Sequence, residues 1–452
     1  MSNETFDLVV LGAGTAGCLA AFSAAKRGIR KIALIDRKPK KLIGKKICGD
    51  GIGTKHLEFL EELGFPIKEK NVISNLIKTA HLVSPNKEKD FTIPTQDKLT
   101  IINRYNLGQV LLEEVIKTGV KLFDNTTFKE INLRQNKAFV TLNNNSGNNF
   151  SISAPLVIDG SGINSKIRED SNLFGKYAQI KDDEQYYCYR EICKFKNLPD
   201  YHIDSTVFEF GFESTRGGYM WFFSRGKNEM NMGTGIPKSW IKEVSPKSVY
   251  ENYMINRFKD YKVIDNGGGF VPTRHPIPSH VKDNIILIGD AGCIVNPLHG
   301  GGLSASIHSG YIAGKIAAEL IPNEAIKEED LWVFNQKIME RYGKRYSLLD
   351  LYRILLQNIP DNELNNAFME EYLPLGMIFY AREYELLLNL SQQLSEYWSQ
   401  IDIPRFNLLP KAIEQVNTIT NEYPTTPYEI DKWAEKYTEI YDTYQAKIIY
   451  PK

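Results

Sequence analysis

The chain has 452 residues, too many for one hydrophobic core and enough for two or three domains. Its 55 basic and 55 acidic residues cancel, so the clustered positive charge that supplies nucleic-acid affinity is not indicated. No run of about 18 apolar residues predicts a membrane span, no zinc-ligand spacing occurs, and the five scattered cysteines favour a reduced, cytoplasmic protein.

The first recognisable unit combines a strand, a Gly-x-Gly-x-x-Gly turn and a helix. An apolar run over 6–11 predicts a buried strand, and an alanine-rich helix follows the turn. A second predicted strand ends in Asp36, at the distance from the glycines where an acid binds the ribose of a dinucleotide. This context predicts a site for an ADP-containing cofactor; the alternative is a glycine-rich turn in an ordinary α/β domain. The residues assigned to the site are Gly12, Gly14, Ala16, Gly17, Asp36 and Arg37.

A basic loop over 37–46 leads into Cys48-Gly49-Asp50, where glycines flank a cysteine and an acid. This composition is consistent with a loop that lies over a flat cofactor or with a plain surface loop. A strand pair is predicted within 76–91, and Arg104 opens a helix that runs to about 118. An arginine at such a junction reaches a phosphate or forms a structural ion pair, and both interpretations stay open.

Residues 156–168 repeat the strand-to-glycine-turn pattern, with Asp159 and Gly160 at the turn. The next region, to about residue 266, alternates Tyr, Trp and Phe with other residues and predicts a separate antiparallel sheet. One aromatic face is consistent with an ordinary sheet core or with an apolar pocket for a long hydrophobic substrate.

Residues 267–276 predict an irregular crossing into an apolar strand that ends in Gly289-Asp290. Three glycines, Gly300 to Gly302, then open a helix of small residues that runs to about residue 320. Glycines at a helix start leave N–H groups free for an anion, which in a flavoenzyme is the reduced ring; the alternative is a flexible loop.

Helical periodicity dominates from residue 328 onward and predicts a region that packs against the rest or lines a substrate tunnel. Its helices are predicted over 331–357, 362–371, 381–398, 410–421 and 427–446. The predicted fold class is α/β, with a discontinuous Rossmann-like cofactor-binding domain, an antiparallel sheet domain for catalysis and substrate, and a C-terminal helical domain. Their predicted limits are 1–75, 100–165 and 267–327 for the first, 76–99 and 166–266 for the second, and 328–452 for the third.

These stretches together resemble the flavin-dependent geranylgeranyl reductase family, close to the archaeal enzymes that saturate isoprenoid ether lipids, within the aromatic-hydroxylase-like flavoproteins. The resemblance covers about 6–320 well and the helical tail more loosely. The family usually has a proline where Ser224 stands, which puts the local turn in question. The motifs that carry the resemblance are the first glycine turn with Asp36, Lys46-Ile-Cys48-Gly49-Asp50, Arg104, Asp159-Gly160 through Arg168, Tyr219-x-Trp221-x-Phe223 with Gly233, Gly289-Asp290, and Asn296-Pro297-x-His299-Gly300-Gly301-Gly302.

The resemblance implies FAD as the cofactor and hydride transfer from reduced flavin to isolated double bonds of geranylgeranyl lipids. The residues it assigns to FAD, besides the first turn, are Cys48, Gly49, Asp50, Arg104, Asp159, Gly160, Gly289, Asp290, Pro297, Gly300, Gly301 and Gly302. The residues it assigns to catalysis are Cys48 and His299, as candidate proton donors, with Tyr219 and Trp221. Tyr219, Trp221 and Phe223 are expected to line the substrate pocket.

The same interpretation leaves several partners open. The electron donor is NAD(P)H or a ferredoxin, and a lipid substrate implies peripheral contact with the inner face of the membrane. Charge alone suggests that Lys45, Lys46 and Arg274 meet a phosphate head group. The alternatives are a flavin monooxygenase or halogenase of the aromatic-hydroxylase type, a reductase of a quinone or another prenyl side chain, and a non-enzymatic isoprenoid-binding flavoprotein.

Overall fold

The computed structural model describes residues 4–323, 325–370, 376, 378, 383–398 and 405–448. In chain order the strands are β1 (Glu4–Thr5), β2 (Leu8–Leu11), β3 (Ile32–Ile35), β4 (Gly51–Gly53), β5 (Ile73–Val83), β6 (Asp90–Ile102), β7 (Lys121–Phe123), β8 (Thr127–Arg134), β9 (Lys137–Asn143), β10 (Asn149–Ala154), β11 (Val157–Asp159), β12 (Gln185–Phe195), β13 (Ser205–Phe210), β14 (Tyr219–Gly226), β15 (Glu229–Pro237), β16 (Tyr261–Pro272), β17 (Val281–Lys282) and β18 (Ile285–Leu287). The α-helices are α1 (Thr15–Lys26), α2 (Thr54–Glu62), α3 (Arg104–Lys117), α4 (Lys166–Glu169), α5 (Ser171–Phe174), α6 (Phe212–Thr215), α7 (Pro246–Met254), α8 (Leu303–Leu320), α9 (Glu328–Ile338), α10 (Lys344–Gln357), α11 (Asp361–Met369), α12 (Tyr384–Trp398), α13 (Leu409–Asn421) and α14 (Ile430–Ile448).

A parallel sheet forms the first half of the fold, in the order β17-β18-β11-β2-β3-β7, with only β17 antiparallel to its neighbour. Strands β2, β3, β11 and β18 are buried along their whole length, as expected when both faces of a parallel sheet are covered. Helices α1 and α8 pack together on one face. Side chains of β9 and β10 cover the other. The predicted Rossmann-like unit is therefore confirmed.

A large curled sheet forms the second half, in the order β16-β12-β15-β14-β13-β5-β6-β4. Its neighbours are antiparallel except for β13 and β5. One face packs Met220 and Phe222 beneath α7. The other face carries Trp221 and Phe223 and contributes to the main core. The alternation predicted from the aromatic residues is thus confirmed. Alternate side chains of β14 lie on the face covered by α7 and on the face that contributes to the site described below.

Two local predictions are wrong. Residues 267–272, predicted as an irregular crossing, belong to β16 and pair with β12. Residues 51–53, the end of the glycine-rich loop that the sequence predicts from Cys48 onward, form β4 against β6. Glycines in a strand mark places where another segment approaches closely. A side chain at Gly267 would overlap Ile47, so the glycine run lets the loop that contains Ile47 and Cys48 lie on the sheet. The predicted domain boundary at 266/267 falls within β16, and the domain limits remain predictions.

The C-terminal region is helical, as predicted, and a π-helical turn over Met339–Gly343 joins α9 to α10. The predicted start of one helix at Ala381 lies outside the described residues, as does Glu371 at the predicted end of another. Among the described helices, none is long and apolar enough to cross a bilayer.

Candidate active site

The turns that follow β2, β11 and β18 meet at the carboxyl edge of the parallel sheet, where open α/β sheets bind their ligands. Gly12 has φ +88°, and a side chain there would collide with the backbone of Gly160. Gly160 N in turn donates to Leu11 O at 2.8 Å. The close approach of these two turns fixes the start of α1, and Gly14 faces open space.

The start of α1 carries a buried positive charge. Arg104 is 8% exposed, and its Nη2 donates to Thr15 Oγ1 at 2.7 Å. Its Nε and Nη1 have no partner among the described residues. No acidic residue lies in the first turn of α1. A buried, incompletely paired guanidinium beside free helix N–H groups fits a bound phosphate, so this site fits the pyrophosphate of FAD.

Asp36 lies at the end of β3, on the other side of the same turn. Its Oδ2 accepts from Ala13 N and its Oδ1 from Lys38 N, both at 2.8 Å. These bonds fix the carboxylate beside the glycine turn, where the sequence predicts a ribose. Ala16 is buried, and a side chain on either Gly289 or Gly310 would collide with it. Arg37 is exposed.

Asp159, assigned to the cofactor from the sequence, bonds within its own loop. Its Oδ1 accepts from Ser161 N at 2.8 Å and its Oδ2 from Ser165 Oγ at 2.5 Å. The structure therefore gives Asp159 a role in shaping the turn around Gly160. Direct contact between Asp159 and a cofactor stays a prediction.

Asp290 and the loop over 296–302 form the opposite side of the site. Asp290 Oδ2 pairs with Lys46 Nζ at 2.6 Å. The loop closes on itself, because Gly300 N donates to Asn296 O at 2.9 Å and Asn296 N donates to Gly301 O at 3.1 Å. No side chain caps α8 at its start. Pro297 and the three glycines line the cavity beside those free N–H groups.

His299 sits in this loop as a neutral imidazole. Gly301 N donates to its Nδ1 at 3.1 Å, and Tyr219 OH donates to its carbonyl oxygen at 2.8 Å. Burial, together with the positive charge of Arg345, lowers the pKa of His299 to about 4. A neutral imidazole is a poor acid near pH 7, so the structure favours a role for His299 in shaping the loop.

Cys48 lies at the other side of the cavity, on a loop held by a buried polar network. Asn231 Nδ2 donates to Cys48 O at 2.8 Å and to Asp50 Oδ2 at 3.0 Å, while Asn231 Oδ1 accepts from Trp221 Nε1 at 3.0 Å. Arg225 Nη1 pairs with the same Asp50 oxygen at 2.6 Å. Asp50 is 2% exposed, so it anchors the loop from beneath.

The network also sets the protonation of the loop. Burial raises the pKa of the Cys48 thiol, and the Asp50 carboxylate adds to the rise. The thiol therefore keeps its proton at neutral pH. Asp50 N donates to Cys48 Sγ at 3.2 Å, which fixes the side chain. A side chain at Gly49 would press against the ring of Phe223, so the glycine lets the loop lie close to the aromatic face.

The aromatic face of the large sheet completes the site. Phe208 packs beside Tyr219 and Phe223, with ring centroids 5.3 and 5.0 Å away. Trp221 is 6% exposed and Phe223 8%, so these rings are partly core and partly wall. The departure at Ser224 leaves β14 paired, with an irregularity after that residue, and Asn75 Nδ2 donates to Ser224 Oγ at 3.1 Å.

A single cavity of about 680 Å³ joins the Cys48 loop, Arg104, the loop over 296–302 and the aromatic face, while the first glycine turn and Asp36 lie outside its lining. The predicted residues that line it are Cys48, Gly49, Asp50, Arg104, Tyr219, Trp221, Phe223, Asp290, Pro297, His299, Gly300, Gly301 and Gly302. Its volume lies within the range of small-molecule and cofactor sites. Glycine-rich loops and the start of α8 therefore face aromatic side chains across one space.

Arg274 does not belong to this site, contrary to the prediction of a head-group contact. It is 3% exposed and pairs with Glu184 at 3.0 Å. Sequence reasoning also missed Asn231 and Arg225, which position the Cys48 loop. A buried asparagine between Met230 and Met232 in an apolar strand was the available signal, since buried amides require partners.

Comparison with known proteins agrees with this geometry. The profile of FAD dependent oxidoreductases matches residues 7–164, and that of the geranylgeranyl reductase catalytic domain matches 185–271. The digeranylgeranylglycerophospholipid reductase of Sulfolobus acidocaldarius is 27% identical over 97% of this chain and 98% of its own. The enzyme of that name numbered 1 in Methanococcoides burtonii is 29% identical over 76% of this chain and 80% of its own.

Solved structures share the fold. A geranylgeranyl bacteriochlorophyll reductase-like protein from Thermoplasma acidophilum superposes with a TM-score of 0.76 at 20% identity, covering 92% of this chain and all of its own. The myxobacterial chondrochloren halogenase, an FAD-dependent enzyme, superposes with a TM-score of 0.63 at 14% identity, covering 99% and 98%.

The parallel sheet, the glycine turns and the buried arginine define an FAD-dependent oxidoreductase. Within that class, residues 185–271 match the profile of the geranylgeranyl reductase catalytic domain. The chain is similar over nearly its whole length to a digeranylgeranylglycerophospholipid reductase.

Proposed function

We propose that this protein hydrogenates the isolated double bonds of geranylgeranyl chains in archaeal-type ether lipid precursors, using FAD. The observation that carries the proposal is the single cavity in which glycine-rich loops face an aromatic wall. The names of the relatives from Sulfolobus acidocaldarius and Methanococcoides burtonii support a digeranylgeranyl glycerophospholipid as the substrate.

The cofactor would lie along the carboxyl edge of the parallel sheet. Arg104 and the start of α1 would hold its pyrophosphate, Asp36 its ribose, and the loop over 296–302 its ring system. When bound and reduced, FAD supplies the hydride. The free N–H groups at the start of α8 would stabilise the negative charge of the reduced ring.

The protein contributes orientation, water exclusion and a proton. Tyr219, Trp221 and Phe223 would hold an isoprenoid chain by apolar contact and would exclude water from the reacting bond. An isolated alkene that receives a hydride at one carbon needs a proton at the other. Cys48 is the favoured donor, because its thiol keeps its proton at neutral pH and lines the cavity, whereas Nδ1 of the neutral His299 accepts a hydrogen bond within its own loop.

The test is mass spectrometry of geranylgeranyl lipid incubated anaerobically with the dithionite-reduced holoenzyme. Each reduced bond adds two hydrogen atoms to the lipid. Unchanged lipid mass with fully reduced flavin would overturn the proposal.

The second candidate is a flavin-dependent halogenase or monooxygenase, which the fold shared with the chondrochloren halogenase favours. Such an enzyme consumes oxygen in proportion to an aromatic substrate. Lipid reduction without oxygen would exclude it, and oxygen uptake that depends on an aromatic compound would favour it.

A further inference from the structure

Residues 37–46, here called the basic loop, concentrate positive charge in a chain whose net charge is zero. The loop contains six lysines and arginines and no acidic residue, whereas the whole chain has 55 of each sign. Arg37, Lys40, Lys41 and Lys45 are exposed. Among the described residues, no carboxylate lies within ion-pair distance of these four side chains; in the basic loop only Lys46 has such a partner, Asp290.

The basic loop is held rigidly against α3. Ile43 is 1% exposed and anchors it in the core. Gln109 Nε2 donates to Ile43 O at 2.6 Å and to Lys40 O at 3.1 Å. The backbone of Gly44, at φ +92°, packs directly on Gly108. These contacts fix the shape of the basic loop, which a loop that merely faces solvent would not require.

Two apolar side chains stand among the lysines. Leu42 and Tyr105 are each 41% exposed, and Tyr105 OH donates to Lys41 O at 3.0 Å. Lysines around a protruding leucine and an amphipathic tyrosine match the interface of a bilayer, where cations meet phosphates and apolar groups enter the acyl boundary. Charge pairing alone would satisfy the cations and leave Leu42 without an apolar environment.

The basic loop lies next to the cavity. The chain passes from Lys45 directly into Lys46 to Gly49, which line the cavity. A bilayer that touches the basic loop would therefore lie beside the space assigned to the isoprenoid chain.

We propose that the basic loop, with Tyr105, docks the enzyme on an anionic lipid surface so that its substrate passes from the bilayer to the cavity. The purpose of this docking rests on the proposed function, whereas the docking itself can be measured without turnover. Each lysine near an anionic surface adds to the attraction, and Leu42 adds apolar burial.

The test is flotation of the full-length holoenzyme with vesicles of phosphatidylcholine alone or mixed with phosphatidylglycerol. We expect binding to the anionic vesicles, weakened by salt, and little binding to the neutral ones. The double variant Lys40→Glu/Lys41→Glu should lose affinity by about tenfold or more, and Leu42→Asp should also bind more weakly. The matched control is Lys129→Glu/Lys137→Glu, in the β8–β9 hairpin, which should bind as the wild type does.

Three outcomes would overturn the proposal. They are equal binding to both vesicles, equal binding by the basic-loop variant and the wild type, and a basic-loop variant that loses FAD or turnover on detergent-dispersed lipid. The last would assign the lysines to the cofactor or electron donor. If the wild type binds anionic vesicles but reduces no lipid in detergent, the proposed function fails while the docking surface stands.

Discussion

Substituting leucine for Asn231 removes the centre of the polar network beneath the Cys48 loop. The side chain is 0% exposed and makes three hydrogen bonds, to Trp221 Nε1, Cys48 O and Asp50 Oδ2. Asp50 Oδ2 keeps Arg225 as a partner, so two neutral groups lose theirs. Each buried group left without a partner costs about 1–3 kcal/mol, which gives a loss of about 2–6 kcal/mol in unfolding free energy.

The assay is urea unfolding of the FAD-loaded protein, together with turnover per bound FAD. We expect the unfolding free energy to fall by that amount and turnover to fall as well, because the Cys48 carbonyl loses its anchor. Asn143→Leu is the control, since among the described residues the Asn143 side-chain amide bonds only Asn149, at an exposed hairpin; it should change stability by about 0.5 kcal/mol or less.

A double-mutant cycle sharpens this prediction. Trp221→Phe keeps an aromatic ring and removes the N–H that Asn231 accepts. If the network acts as one unit, the effects of Trp221→Phe and Asn231→Leu are non-additive, with a coupling energy of about 0.5–3 kcal/mol. Additive effects, or an Asn231→Leu enzyme within about 1 kcal/mol of wild type and fully active, would refute the reasoning.

Further predictions concern the cofactor, the chemistry and the pH range. Arg104→Gln should raise the Kd for FAD about tenfold or more, measured by absorbance titration, because a charged partner of the pyrophosphate is lost. Cys48→Ala should keep its FAD and lose about 100-fold in turnover; wild-type turnover would remove Cys48 from the mechanism. Trp221→Ala should change chain-length preference at constant FAD content, whereas loss of FAD would assign Trp221 to the core. Burial lowers the pKa of His202 and His280 from 6.5 to about 4, so the unfolded chain binds protons first as the pH falls. Stability should therefore be lost between about pH 6.5 and 4, by about 1.4 kcal/mol per pH unit for each histidine, and His202→Gln should remove one such contribution from the slope of unfolding free energy against pH.

The parts of the fold that the sequence predicts well are those in which backbone geometry dictates residue type. The first glycine turn is an example, because only glycine tolerates φ +88° at Gly12 beside the Gly160 backbone. The buried parallel strands are also recognisable in the sequence as apolar runs. These local signals predict the edge of the parallel sheet as the cofactor site without any knowledge of distant contacts.

Contacts between distant residues carry no comparable signal. Arg225 and Asp50 are 175 residues apart, and nothing around either predicts that they pair. Arg274, expected from its charge to meet a head group, is instead buried against Glu184. The glycines of β16 indicate irregular structure locally, yet they pair regularly with β12 and leave room for Ile47 of the distant Cys48 loop.

The central claim is that reduced flavin in this protein faces a cavity that holds an isoprenoid chain. The direct measurement is anaerobic absorbance of the reduced holoenzyme after geranylgeranyl lipid is added. We predict that the oxidised flavin spectrum returns at a rate that depends on lipid concentration. A spectrum that stays bleached with lipid, and returns only when oxygen is admitted, would contradict the account.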